Sequence, residues 1–121
     1  MKYALLIYAD ETGWDSASEG QKQALLERYE AFSDDVAARG MMRGGEQLHT
    51  TASATTVRVR NDETLVVDGP FAETKEQLGG FFLVECENVD EAIELAARIP
   101  GAQTGAVEVR PIVEGPEQPH Q

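Results

Sequence analysis

Cysteine, histidine, basic residues and long apolar runs are all scarce in this chain. Its 121 residues contain one cysteine, Cys86, so no disulfide can form within the chain, and a reducing, cytoplasmic setting is expected. Ten Lys and Arg stand against 22 Asp and Glu, a formal net charge of -12 that repels phosphate backbones and anionic lipid. Nucleic acid and membrane surfaces are therefore unsuitable partners. No apolar run approaches the about 20 residues that a membrane-spanning helix needs, and the N-terminus reads directly into a strand without a signal peptide. With only His49 and His120, plus a cysteine in an apolar strand, metal-ligand spacing is missing and no metal is expected. Gly44-Gly45 and Gly79-Gly80 stand outside any phosphate-loop or dinucleotide pattern, and no cofactor is expected.

What is present suits one domain with a real core, since 41% of residues are hydrophobic. That domain is expected over residues 1–113, and the Pro-, Glu- and Gln-rich residues 114–121 have a disordered composition. Residues 2–9 form an apolar first strand, broken at Asp10 to Gly13. Ser16 with Glu19 and Ser18 with Gln21 are overlapping capping patterns for a helix. Its apolar stripe is Leu25, Tyr29, Phe32 and Val36, and Gly40 ends it. Arg43 to His49 reads as a short strand whose glycines permit a bulge or close backbone approach. Thr55–Arg60 and Thr64–Val67, separated by Asn61-Asp62-Glu63, form a hairpin with one wet face. Ala72 to Leu78 is expected as a single helical turn, followed by an apolar central strand over 80–86. A second helix begins at Asn88, with Val89, Ala92, Ile93 and Ala96 as its buried stripe, stops at Pro100-Gly101, and precedes a last strand over 105–112.

This order makes an α+β fold, the ferredoxin-like βαββαβ pattern with an inserted hairpin. Two helices cover one face of such a sheet, yet both central strands carry apolar residues on two faces. A homodimer packed sheet to sheet covers the second face; the alternative is a monomer whose hairpin folds over it.

Leu65-Val66-Val67-Asp68-Gly69-Pro70-Phe71-Ala72-Glu73-Thr74-Lys75-Glu76 runs a strand into a carboxylate at a turn. With Leu78-Gly79-Gly80-Phe81, Gly44-Gly45-Glu46-Gln47-Leu48, residues 2–8, 55–60 and 107–112, it resembles the DGPF branch of the YCII-related family. The resemblance spans about residues 1–113. It implies a dimeric α/β barrel of ferredoxin-like subunits, with acid–base use of a His–Asp pair on small cyclic or aromatic compounds proposed for some relatives, and an association of DGPF proteins with sigma-factor systems.

Asp68, at a strand end, is the first candidate catalytic residue; its oxygens can equally cap the turn that follows. His49 exchanges protons near neutral pH if Asp68 orients its ring, or else faces solvent from a loop. Arg43 and Glu46 flank the glycine pair as candidate substrate-binding groups, Arg43 by clamping a carboxylate, though surface ion pairing accounts for both. Tyr8 can bring a hydroxyl to the same cleft, or serve core or interface. Two functions compete: a cofactor-independent lyase or isomerase acting on a small-molecule ligand, and a non-catalytic dimeric binding or regulatory protein.

Overall fold

The computed structural model describes residues 1–115. In chain order the elements are β1 (Lys2–Ala9), α1 (Glu11–Ser16), α2 (Glu19–Ala38), β2 (Met42–Gln47), β3 (Thr55–Arg60), β4 (Glu63–Asp68), β5 (Gln77–Glu85), α3 (Val89–Arg98) and β6 (Ala106–Pro111). Four strands form an antiparallel sheet in the order β2-β5-β1-β6, and β3 pairs with β4 in a separate two-stranded sheet. Taken without the hairpin, that order is the ferredoxin-like arrangement expected from the sequence. Of the tail expected over 114–121, residues 116–121, with His120, lie outside the described residues, whereas Glu114 accepts a hydrogen bond from the Lys2 amide at 3.1 Å.

Alternation along β1 decides the core. Tyr3, Leu5 and Ile7 are buried, and register places Val84, Phe82 and Gly80 of β5 beside them on the same face. Phe32 and Val36 of α2 and Ala92, Leu95 and Ala96 of α3 close this core, with Ile99 just beyond the helix. The Phe32 and Phe82 rings meet at 5.1 Å between centroids, a separation suited to tilted aromatic packing.

Local chemistry sets the helix ends. Of the two capping patterns, the one formed is Ser18 with Gln21: Gln21 N–H donates to Ser18 Oγ at 3.1 Å, and Gln21 Oε1 accepts from the Ser18 amide at 2.8 Å. At the other end Gly40 adopts φ 73°, its amide bonded to Ala37 O and that of Met41 to Val36 O, a Schellman close that only glycine adopts without strain.

The first strand breaks at Asp10 as expected, and the break holds an element the sequence reading lacked: the Asp10 carboxylate accepts from the Thr12 amide and hydroxyl, at 3.0 and 2.7 Å, and so caps the short helix α1. Two expectations need correction. Residues 72–76 form bends rather than a helical turn, and β5 starts at Gln77, whose side-chain amide donates to the carbonyls of Ala72 and Thr74. The buried stripe of α3 is Ala92-Leu95-Ala96; Val89 and Ile93 are exposed because the sheet meets the helix one residue around from the face the spacing suggested.

The hairpin also departs from expectation. Asn61 and Asp62 both take positive φ, 50° and 63°, giving the two-residue turn that matches strand twist. Apart from Thr56, every residue of β3 and β4 is exposed, so both faces are open rather than one. The hairpin therefore does not fold over the sheet, and the second sheet face, with Ala4, Leu6, Phe81 and Leu83 half-buried, stays outside the core.

Candidate functional site

Strand register fixes which candidate residues share a region. Tyr8 lies opposite Leu78 and Ala106, Gln47 lies opposite Gly80, and the Leu48 amide donates to Gly79 O at 2.9 Å. The ends of β1 and β2 and the starts of β5 and β6 thus form one end of the sheet, and His49 follows directly from it. Asp68 is tied to the same end through the hairpin base. It pairs with Thr55, the Gly69 amide donates to Ala54 O at 2.7 Å, and Thr56 Oγ1 donates to Gly69 O at 2.8 Å. Upstream, Thr51 donates from its amide and hydroxyl to the Glu11 carboxylate at 2.9 and 2.6 Å, joining this connection to the start of α1.

Tyr8 and Glu46 therefore lie at one end of the four-stranded sheet, with His49 just beyond it, and Asp68 lies at the base of the separate hairpin that follows. Tyr8 is half-buried on the open sheet face and donates to Glu108 Oε1 at 3.4 Å. Glu46 pairs with Phe81 on that face and is exposed. His49 and Asp68 are exposed, and among the described residues no hydrogen bond or ion pair joins them. The turn after Asp68 is closed by the main chain and Thr56 rather than by the Asp68 carboxylate.

Arg43 belongs elsewhere. Its Nη1 donates to the carbonyls of Gly40 and Met42 at 2.9 and 3.1 Å, and its Nε lies 3.5 Å from Glu85 Oε1. Glu85 also accepts from the Met1 ammonium at 3.1 Å, which with Arg43 holds its carboxyl below the usual range. This is the opposite end of the sheet, so Arg43 and Tyr8 do not share a cleft. Packing accounts for the second glycine of the pair, because a Cβ on Gly45 would stand 2.7 Å from Phe82 Cδ1 and 2.8 Å from Phe81 O.

Two acids make contacts that their spacing in the sequence does not reveal. Glu11 is identified by its double bond to Thr51, and Glu108 by its contact with Tyr8 and its 2.9 Å hydrogen bond from Arg110 Nε, which raises the Arg110 pKa. The alternation of β6, with Glu108 and Arg110 on the face opposite Val107 and Val109, was the available signal for the second. Asp10 is held below the ordinary aspartate range, first by the Thr12 hydroxyl and amide and more weakly by the Lys75 charge. Burial raises the Cys86 pKa, and Glu91 adds to the effect. Two open concavities occur elsewhere, one of about 450 Å3 beside Met1, Arg39 and Glu85, and one of about 340 Å3 between α3 and β6, lined by Ile93, Ala97 and Val107. Among the described residues no group of three His, Cys, Asp or Glu stands close enough to hold a metal ion, and no helix is long and apolar enough to cross a membrane.

The fold and the matched sequence together define the class: the YCII-related domain pattern matches residues 1–115, and the chain belongs to the YCII-related family. A relative in Rhizobium meliloti (strain 1021), described as an uncharacterised protein, is 39% identical over 114 residues, which cover 93% of this chain and 92% of that protein.

Proposed function

We propose that the chain acts as a homodimer that performs cofactor-independent acid–base chemistry, of the lyase or isomerase kind, on a small molecule at the Tyr8 end of its sheet. The observation that supports this reading is that Tyr8 and the strand end leading to His49 share one end of the sheet, with Asp68 at the base of the hairpin that follows. His49 transfers the proton, Asp68 orients or balances it, and Tyr8 with Glu108 supplies a hydroxyl and carboxylate nearby. Arg43 is left out of this role because its guanidinium is engaged at the far end. The dimer is supported by the half-buried apolar face that the hairpin leaves uncovered. The DGPF branch and a cytoplasmic setting are part of the same reading, supported by the Asp68-Gly69-Pro70-Phe71 stretch and the single cysteine.

Proton exchange tests it across a range of compounds at once. The protein is incubated in deuterated water with a panel of small cyclic and aromatic carbonyl compounds, and deuterium uptake at C–H is read by mass spectrometry. Uptake that falls about 100-fold in both His49→Ala and Asp68→Asn, with unchanged circular dichroism, is the expected result. Uptake unaffected by either change overturns the assignment. Binding of a panel member with no exchange favours the second reading, a non-catalytic binding or regulatory dimer, for which the exposure of both His49 and Asp68 in one chain speaks. A sigma-factor partner would belong to that second reading.

A further inference from the structure

The strands of the hairpin pair only with each other. Six cross-strand pairs, the tight turn at Asn61 and Asp62, and the bonds of Gly69 to Ala54 and Thr56 hold it together as one piece. Two connections, residues 48–54 and 69–76, join that piece to the four-stranded sheet, and short connections of this kind absorb the angle changes of a hinge. They are held very unequally. Among the described residues, 70–76 make hydrogen bonds only with one another and with Gln77. In 48–54 the Leu48 amide continues the β2 ladder onto Gly79 O. Past that point, among the described residues, one side chain of the main body holds the connection. Glu11 accepts from the Thr51 amide at 2.9 Å through one carboxylate oxygen and from the Thr51 hydroxyl at 2.6 Å through the other. Both are charge-assisted bonds, the stronger kind, and both residues are half-buried. The Asp10 cap fixes the first turn of α1, where Glu11 stands.

We infer that the Glu11 carboxylate is the latch that fixes the hairpin's orientation against the four-stranded sheet, and that Glu11 is thereby a positioning residue for His49 and Asp68; the positioning role rests on the proposed function, the latch does not. His49 lies two residues before Thr51 in the latched connection, and Thr55, four residues after it, is the cross-strand partner of Asp68. One carboxylate therefore governs where both stand relative to Tyr8. With the latch open the hairpin stays paired and swings as one piece about its two connections, carrying Asp68 with it. A displacement of about 1 Å in a catalytic group is enough to cost up to about 100-fold in rate.

Residual dipolar couplings of the backbone amides of the full chain read the orientation directly. In the wild type, hairpin and sheet amides are expected to fit one alignment tensor. In Glu11→Ala the hairpin is expected to need its own tensor, at least about twofold weaker, and the Thr51 amide to exchange at least about tenfold faster, while the cross-strand amides of the hairpin stay within about threefold of wild type. Glu11→Gln, whose side chain can accept from the Thr51 amide and donate to its hydroxyl, is expected to restore the single tensor. A single tensor in Glu11→Ala overturns the latch, as does a wild-type hairpin that already aligns separately. If Glu11→Ala misfolds, Thr51→Val removes the shorter bond and leaves α1 intact: weaker hairpin couplings support the latch, and unchanged ones overturn it. In the deuterium-uptake assay Glu11→Ala is expected to lose at least about tenfold and Glu11→Gln to stay within about twofold of wild type. Unchanged uptake in Glu11→Ala beside a separately aligned hairpin overturns the positioning role alone. Uptake absent from the wild type overturns the proposed chemistry, and the couplings still decide the latch.

Discussion

Valine meets opposite fates in the two sheets of this protein. Val84 of β5 is fully buried, whereas Val57, Val59 and Val66 of the hairpin are more than half exposed. All are the same residue type in regular secondary structure, so propensity does not separate them. The difference lies in what each element has opposite it: β5 lies under two helices, while β3 and β4 have only each other. An apolar strand therefore reports that something covers it, and leaves open whether that cover is in the same chain. The same division runs through β1, where Tyr3, Leu5 and Ile7 enter the core and Ala4, Leu6 and Tyr8 remain half-buried on the open face.

The largest test of this contrast compares neighbours in β1. Leu5→Ala empties a fully buried position and should cost about 3 kcal/mol in urea unfolding. Leu6→Ala, one residue along on the open face, should cost under about 1 kcal/mol when measured at a dilution where only single chains are present. Equal losses would mean that the open face is covered within the chain. Next is Gly45→Ala, which thrusts a methyl against Phe82 Cδ1 and the Phe81 carbonyl and should cost about 1–3 kcal/mol by the same assay. A smaller effect is expected at the start of α3, where Asn88 Oδ1 accepts from the Glu91 amide at 3.0 Å. Asn88→Ala should remove about 1 kcal/mol of stability, visible as a lower urea midpoint.

The smallest effect is electrostatic. Arg98 Nη2 donates to Asp35 Oδ2 at 2.7 Å, linking the C-terminal ends of α2 and α3, and holds the Asp35 carboxyl below the ordinary aspartate range. Because the folded value is depressed, this contribution is present above the ordinary aspartate pKa and disappears as pH falls through the lowered one. Arg98→Gln should therefore lower stability at pH 7 and make its decline below pH about 4 shallower than wild type. Parallel wild-type and variant profiles would remove this pair from the acid response.

Much of the fold was legible because local chemistry and global packing agree. The central strands followed from their apolar runs, β3 and β6 from period-two alternation, the α2 boundaries from Ser18, Gln21 and Gly40, and the sheet order from the βαββαβ succession. Legibility failed where a side-chain hydrogen bond outweighed a breaker residue, as when Asp10 capped a helix containing Gly13, and where a short helix could rotate slightly, as α3 does in leaving Ile93 outside. The candidate site was less legible. Tyr8 and His49 are 41 residues apart in sequence, and only strand register shows that Tyr8 and the strand end leading to His49 share one end of the sheet. Arg43 is near Glu46 in sequence, but the bulge between Met42 and Gly44 and the ion pair with Glu85 assign it to the other end. Spacing along one strand says little about which end of a sheet a side chain serves until its cross-strand partners are known.

The central proposal is that the half-buried apolar sheet face left uncovered by the hairpin is covered by a second copy. Equilibrium sedimentation of the unmodified protein from micromolar to submillimolar concentration tests it most directly. The account predicts a two-chain species whose share rises with concentration by mass action; a single-chain species throughout would contradict it.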